Sequence, residues 1–224
     1  MRTGVTTKTR INDFAVKLAN VNGTGSASAN GLLMQAIFRM GIPVSGKNLF
    51  PSNIQGLPTW YEIRVNKDGY TARAVDYDLM VAMNGQTYDR DVREVRPGGY
   101  LLYDSTWPMD AALHRDDITF LGVPLAQMCN ENFRDPRERI LMKNIAYAGT
   151  LCAVLNADMD IVAGLLDEKY ATKKAHYESK SELEMPRRVA KEFKTWNAEA
   201  VKKRAASMYS DVVEIWDFNN PSRV

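Results

Sequence analysis

Residues with chemical potential gather in two places near the front of the chain. The first is Asn22-Gly23-Thr24-Gly25-Ser26, which follows a compact apolar run at 14–21. It leads into residues 29–40, where Leu32, Leu33, Ala36, Ile37 and Met40 recur at helical spacing. Small residues between a strand and a helix let backbone amides and the helix N-terminus approach an anion, and Ser26, Ser28 and Asn30 add donors. The same glycines equally suit a tight turn with close helix–sheet packing, so phosphate or cofactor contact and a plain turn both stand open. A dinucleotide fingerprint is not met, because position 28 is serine rather than glycine and no acidic residue follows the second strand to hold a ribose.

The second place is the irregular segment 48–60, which sets Ser52, Asn53, Gln55 and Gly56 between Phe50 and Trp60, with two prolines. So many hydrogen-bonding groups beside two aromatics suit an interface or a ligand rim better than a bare sheet cap. Between the two places, residues 41–48 nearly spell a phosphate-binding P-loop. Asn48 stands where the magnesium-binding hydroxyl belongs, Gly41 ends a helix rather than following a strand, and Pro51 comes where a helix should begin. The likeness is a coincidence.

An inventory for autonomous catalysis is missing. His114 and His176 are isolated, no Gly-x-Ser-x-Gly elbow exists, and Cys129 and Cys152 cannot supply the four thiolates of an iron–sulfur cluster. Asp76, Asp78, Asp116 and Asp117 lack histidine support. The sequence therefore predicts no catalytic residue and no metal ligand. The 29 basic and 27 acidic residues leave a formal charge of +2, too balanced for a dedicated nucleic-acid or anionic-membrane binder. The most apolar later stretch, 148–166, is broken by Asn156, Asp158 and Asp160, so no membrane span is expected, and no signal peptide is read at 1–10. Two cysteines in unrelated contexts point to a reducing, cytoplasmic setting.

The elements that must position these residues read as an α/β fold with a mixed, mostly parallel sheet sandwiched by helices. Strands are expected at 14–21, near 43–46, and at 59–65, 70–75, 79–83, 100–103 and 118–123. The first two would enclose the helix 29–40 in a β-α-β unit. Asp68-Gly69 would turn 59–65 into a hairpin with 70–75. Residues 89–96 read as a short helix ended by Pro97-Gly98-Gly99, and 137–157 and 161–170 as helices covering a sheet face. A compact domain at 13–170 then gives way to a charged helical extension at 171–224. In that extension Val189, Phe193, Trp196 and Ala200 form one amphipathic stripe, to pack on its own domain or on a partner.

Three strings carry a resemblance: NVNGTGSASANG at 20–31, GIPVSGKN at 41–48, and FPSNIQGLPTWYE at 50–62. Over about 13–169 the chain resembles the 2-oxoacid:ferredoxin oxidoreductases, specifically the gamma domain found at the N-terminus of the alpha subunit in 2-oxoglutarate-type enzymes. Most relatives carry Gly-x-Gly-Gly-Gln-Gly at the turn, where this chain has Ser26, Ala27 and Ser28 in the last three positions. The resemblance implies a Rossmann-like domain and a subunit inactive alone. Its complex would decarboxylate a 2-oxoacid, 2-oxoglutarate before pyruvate, with coenzyme A, passing electrons to ferredoxin. Thiamine diphosphate, magnesium and [4Fe-4S] clusters would be held by partner subunits, with no cofactor bound by this chain alone. Gly23, Thr24, Gly25, Ser26, Ser28, Ser52, Asn53, Gln55 and Gly56 are the candidate cofactor-contact residues. The other reading kept open is a nucleotide- or anion-binding module without redox activity.

Overall fold

A computed structural model describes residues 12–50, 56–155 and 157–174 of the chain. Its sheet has six strands: β1 (Asp13–Val21), β2 (Val44–Leu49), β3 (Pro58–Asn66), β4 (Tyr77–Ala82), β5 (Val95–Asp104) and β6 (Thr119–Val123). The order is β2-β3-β1-β4-β5-β6. β1, β4, β5 and β6 pair in parallel, while β3 runs antiparallel to both of its neighbours, β1 and β2. The expected mixed, mostly parallel sheet is present. The expected β-α-β unit is split: β2 runs in the same direction as β1, but β3 lies between them.

Alternation along the strands sends apolar side chains to two cores. Phe14, Val16 and Leu18 of β1 join Ile63 and Val65 of β3 and Leu79 and Val81 of β4 in the larger one. Helices α1 (Ser26–Arg39), α3 (Leu125–Asn132), α4 (Pro136–Val154) and α5 (Met159–Lys174) contribute to the same core. α4 starts where Asp135 accepts hydrogen bonds from the amides of Arg137 and Glu138, with Pro136 in the first turn. α3 follows Pro124, whose side chain cannot cap, and buried Asp104 of β5 does so instead, accepting from the Ala126 amide at 3.2 and 3.3 Å. The smaller core, on the opposite face, packs Ala15, Met80, Ala82 and Leu101 against Val92 of α2 (Tyr88–Arg93).

That opposite face also carries a buried charged layer. Lys17, 1% exposed in the middle of β1, donates to Glu94 at 2.5 Å and lies 3.8 Å from Glu62 of β3. Glu62 accepts two hydrogen bonds from Arg73 and one from the Tyr77 hydroxyl. Burial pushes Glu62 upward, but Arg73, Tyr77 and Lys17 together hold it below the ordinary carboxylate value. Glu94 is also driven up by burial and is brought below its ordinary value by Lys17 and Arg90.

Two expectations for local structure are corrected. Residues 70–75 form no strand, because both edges of β3 are already taken by β1 and β2, leaving a hairpin return nothing on β3 to pair with. Asn66 instead accepts from the amides of Asp68 and Tyr70, and Ser45 of β2 donates to the Thr71 carbonyl. The short helix ends at Arg93 rather than at Arg96, and β5 continues through Pro97-Gly98-Gly99, where its register with β4 shifts. A 3-10 turn at Gly85–Thr87 precedes α2, and α3 was not anticipated. Residues 41–48 become the end of a turn and most of β2, so Lys47 sits on a strand and not on a phosphate loop. The amphipathic stripe at 189–200 lies outside the described residues.

Candidate functional site

α1 leaves the C-terminal end of β1 on the larger-core face, whereas α2 leaves the C-terminal end of β4 on the other. Parallel neighbours whose chains depart to opposite faces leave a crevice at their C-terminal ends, the place where open α/β sheets take ligands. The glycine turn stands at this edge. Gly23 (φ +89°) and Gly25 (φ +82°) both adopt the left-handed conformation. A Cβ on Gly23 would meet nothing within 4 Å, and one on Gly25 would meet Leu141 Cδ1 at an ordinary 3.5 Å. Positive φ, not close helix–sheet packing, is what demands glycine here.

The turn uses its acceptors internally. The Thr24 hydroxyl donates to Val21 O at 2.8 Å, Asn144 Nδ2 of α4 donates to Thr24 O at 2.7 Å, and Ser28 N donates to Gly25 O at 3.2 Å. Asn22 O accepts from Gly56 N, and Asn22 N donates to Leu57 O, which fixes where the chain returns into β3. By contrast, the amides of residues 23–27 have no acceptor among the described residues. The turn is therefore a donor surface, and α1 begins without a side-chain cap and with no acidic residue in its first turn.

A cavity of about 220 Å³ opens against this surface, lined by Asn22, Gly23, Gly25, Ser26, Ala27, Asn30, Asn48, Thr59 and Trp60. Ser26 and Asn30 are nearly completely buried. Tyr147 of α4 donates to Asn30 Oδ1 at 2.7 Å, which leaves the Asn30 amide nitrogen as the group still able to donate. Burial drives the Tyr147 hydroxyl far above the ordinary tyrosine value, and Asn20 on β1 pulls slightly the other way. Asn20 nevertheless has no acceptor for its buried amide nitrogen in hydrogen-bonding geometry, and Asn84, just past β4, likewise has none. Trp60 is held from the far side, donating to Asp91 at 3.0 Å and stacking under the Arg90 guanidinium at 4.4 Å. Burial raises the Asp91 carboxyl, and Thr87 and Trp60 draw it back in part.

Of the residues singled out by sequence, the structure brings Gly23, Gly25 and Ser26 to the cavity wall. Thr24 turns back onto β1, Ser28 is exposed on the outer side of α1, and Gly56 (φ +76°) sits across from Asn22. Ser52, Asn53 and Gln55 lie outside the described residues, although Phe50 and Leu57 on either side of them are exposed. Asn48, Thr59 and Trp60 fall within the segment read as a ligand rim, but they sit on β2 and β3 rather than in an irregular loop, while Asn144 and Tyr147, which anchor the turn from α4, were missed by sequence reasoning.

The metal-bearing cofactors implied by the resemblance find no ligand set among the described side chains. Cys129 and Cys152 are both buried, their thiols pushed up to about 11 and about 12 chiefly by burial, and they are not placed as cluster ligands. Among the described residues no group of three His, Cys, Asp or Glu side chains could hold a metal ion. The cavity is smaller than the roughly 300–1,000 Å³ of sites that enclose a drug-sized molecule. Among the described residues no helix is long and apolar enough to cross a membrane.

Known proteins are similar to this chain in architecture and, more distantly, in sequence. The family described as "Pyruvate ferredoxin/flavodoxin oxidoreductase" matches residues 15–181. The alpha subunit of 2-oxoacid:ferredoxin oxidoreductase 2 from Aeropyrum pernix is 28% identical over 121 residues, which span 54% of this chain and 18% of that subunit. The 2-oxoglutarate:ferredoxin oxidoreductase of Magnetococcus marinus, solved with 2-oxoglutarate, coenzyme A and succinyl-CoA bound, superposes with a TM-score of 0.69 at 20% identity. That match covers 84% of this chain and 31% of the other. The gamma subunit of a keto/oxoacid ferredoxin oxidoreductase from Geobacter sulfurreducens superposes with a TM-score of 0.61 at 13% identity, covering 84% of this chain and 99% of its own. The chain thus spans under a third of the first two relatives and nearly the whole of the third. The sheet, its helices and the sequence match agree: this chain belongs to the pyruvate ferredoxin/flavodoxin oxidoreductase family.

Proposed function

We propose that the chain is a subunit, inactive alone, of a 2-oxoacid:ferredoxin oxidoreductase. The complex cleaves the bond between the carboxylate and carbonyl carbons of a 2-oxoacid, joins the acyl group to coenzyme A, releases carbon dioxide and passes the electron pair to ferredoxin. The observation that carries this reading is the family match across 15–181. In this reading partner subunits bind thiamine diphosphate, magnesium and the [4Fe-4S] clusters. This chain contributes a contact surface toward the cofactor route, made of the Gly23–Ser28 turn and the segment 51–60. Residues 13–170 form the domain, and 171–224 a helical extension that packs on its own domain or on a partner. The complex works in the cytoplasm. 2-Oxoglutarate is the preferred substrate, a choice supported by the likeness to the Magnetococcus marinus enzyme.

Anaerobic purification of the tagged chain from its native cells tests this. Co-purifying catalytic subunits, together with viologen reduction that needs both a 2-oxoacid and coenzyme A, are expected, with faster turnover of 2-oxoglutarate than of pyruvate. Recovery of the folded chain alone and inactive would overturn the subunit reading. Faster turnover of pyruvate would overturn only the substrate.

A further inference from the structure

We propose that residues 211–218 of this chain add to the free edge of β2 as a seventh strand of its own sheet. This concerns where the end of the extension packs, and it stands or falls apart from the subunit reading. β2 is first in the sheet order and pairs only with β3. Asn66 N donates to Pro43 O, which fixes the phase of that ladder. Residues 43, 45, 47 and 49 turn their backbone groups toward β3, and Val44, Gly46 and Asn48 turn theirs outward. Those outward amides and carbonyls have no partner among the described residues. A row of unpaired N–H and C=O groups is a template for another strand, and β2 carries neither a proline nor a bulge to blunt it. Its one charge, Lys47, is exposed and has no ion partner among the described residues. A single edge lysine also serves simply to keep edges apart, so the occupant must be argued from more than the open edge.

The chain leaves the domain beside this edge. Arg39, at the end of α1, donates to Glu168 of α5 at 2.7 and 2.6 Å, and the Asp158 amide donates to Met40 Sδ. α5 therefore runs next to the turn at 40–43 that opens β2, and it ends at Lys174. Even at the helical rise of about 1.5 Å per residue, residues 175–210 reach about 50 Å, enough to arrive anywhere along β2. Residues 211–218, read as DVVEIWDF, then combine β-branched and aromatic residues with three carboxylates and contain neither glycine nor proline. A period of two sets Glu214 on one face with Val212 and Trp216, and Val213 and Ile215 on the other. The two faces of β2 match that division. Lys47 lies on the side of Arg73 and Tyr77, with which it lines one small cleft. Gly46 faces α1, where a Cβ would lie 3.2 Å from Met34 Cγ, and Phe38, one turn beyond Met34, is 67% exposed. Glu214 beside Lys47 thus brings Val213 and Ile215 to the apolar strip of Met34 and Phe38. The opposite terminus is a poor rival: residues 1–11 carry Arg2, Lys8 and Arg10 with no acid, and they enter at β1, away from this edge.

The test is amide hydrogen exchange on the full chain labelled with nitrogen-15, followed residue by residue and repeated over a wide range of protein concentration. Ser45, Lys47 and Leu49 point to β3 and exchange slowly in any case, so they report that the sheet is intact. Val44, Gly46 and Asn48 should be slow as well, at every concentration. Val213→Pro removes an amide from the added strand and should speed exchange at those three positions by at least about tenfold, leaving 45, 47 and 49 unchanged. Lys47→Glu should speed them by about two- to fivefold, and adding Glu214→Lys should restore the parent rates. Fast exchange at Val44, Gly46 and Asn48 in the full chain overturns the proposal. So does protection that Val213→Pro leaves in place. Protection that rises with concentration overturns it in favour of a second copy of the chain, and protection gained only in a purified complex overturns it in favour of a partner's strand. The subunit reading is tested by co-purification and is untouched by the behaviour of these amides in the chain alone.

Discussion

Lys17→Met keeps the length of the side chain in the centre of β1 and removes only its charge. In the parent, the ammonium donates to Glu94 at 2.5 Å and lies 4.9 Å from the Tyr77 ring centre and 5.7 Å from that of Trp60. A charge-assisted hydrogen bond of this kind is worth about 1.5–3 kcal/mol. Orphaning a buried charge completely costs about 3–5 kcal/mol. The upper range does not apply here, because Glu94 keeps Arg90 and Glu62 keeps Arg73 and Tyr77. A loss of about 2–3 kcal/mol is therefore expected at neutral pH, or roughly 4–12 °C in Tm for a domain of this size. The sign of the pH dependence follows from the carboxylates. Both are held below their ordinary values in the folded state, so their stabilisation is present above the unfolded value and is lost as pH falls through the folded one. The difference between parent and variant should accordingly shrink in acid. Urea unfolding followed by circular dichroism, at neutral pH and below the carboxylate range, measures both. Adding Glu94→Gln to Lys17→Met should recover part of the loss, giving a coupling of about 0.5–3 kcal/mol. A methionine variant as stable as the parent at neutral pH, or a deficit that does not change with pH, would refute the reasoning.

Other outcomes follow from the packing. Gly99→Ala places a Cβ 2.7 Å from Val95 Cγ1, 2.9 Å from Arg96 O and 3.0 Å from Asp78 O. Because backbone cannot yield as a side chain can, a loss of about 1–3 kcal/mol in urea unfolding is expected. Gly23→Ala meets open space and should lose only the cost of its positive φ, roughly 1–2 kcal/mol. Both cysteine thiols should resist a thiol-reactive dye in the folded chain and react fully in guanidinium, since burial both hides them and suppresses the thiolate. Asn144→Ala removes the tie from α4 to Thr24 O; it should cost about 1 kcal/mol and speed hydrogen exchange at the Ser28 amide, whose bond to Gly25 O depends on the turn's shape.

Where neighbouring residues decide the structure, it was legible in the sequence. The change of period at Gly23-Thr24-Gly25 marks β1, turn and α1, and the apolar spacing from residue 137 marks α4. Where a distant partner decides, the sequence misled. Asp68-Gly69 is a sound hairpin signal, and Gly69 does adopt φ +83°, but β2 had already taken the edge of β3 that a hairpin needs. Pro97-Gly98-Gly99 does interrupt the pairing, since β5 jumps from Val95 to Tyr100 in its register with β4 and meets β6 only from Tyr100, but the strand continues through it, with Gly98 N donating to Asp117 O. α3 is capped by Asp104, more than twenty residues upstream, so no local cap announces it. The site divides the same way. Its turn is written at 22–26, while Asn144 holds that turn from 120 residues away and Tyr147 orients Asn30 from 117. One signal was available and unused: a lysine in the middle of an otherwise apolar strand, at position 17, announces buried carboxylates on the neighbouring strands.

The departure of this turn from the Gly-x-Gly-Gly-Gln-Gly of most relatives now has a physical reading. Only the first two glycines of that pattern are held at positive φ, and those are the two this chain keeps, as Gly23 and Gly25. Ser26 and Ala27 already belong to α1, where the backbone is open to any ordinary residue, so replacing glycine and glutamine there leaves the amide array untouched. Ser28 is exposed and away from the cavity, so its side chain asks nothing of the site. Ser26, in contrast, adds a buried hydroxyl to the wall. A function carried by backbone N–H groups therefore survives all three substitutions, and one carried by the glutamine side chain does not. Restoring Ala27→Gln separates the two. If the backbone carries recognition, the substitution leaves coenzyme A-dependent viologen reduction by the purified complex within a factor of about three, the low end of what one neutral hydrogen bond is worth. A larger gain would mean that the glutamine, absent here, is the group that binds.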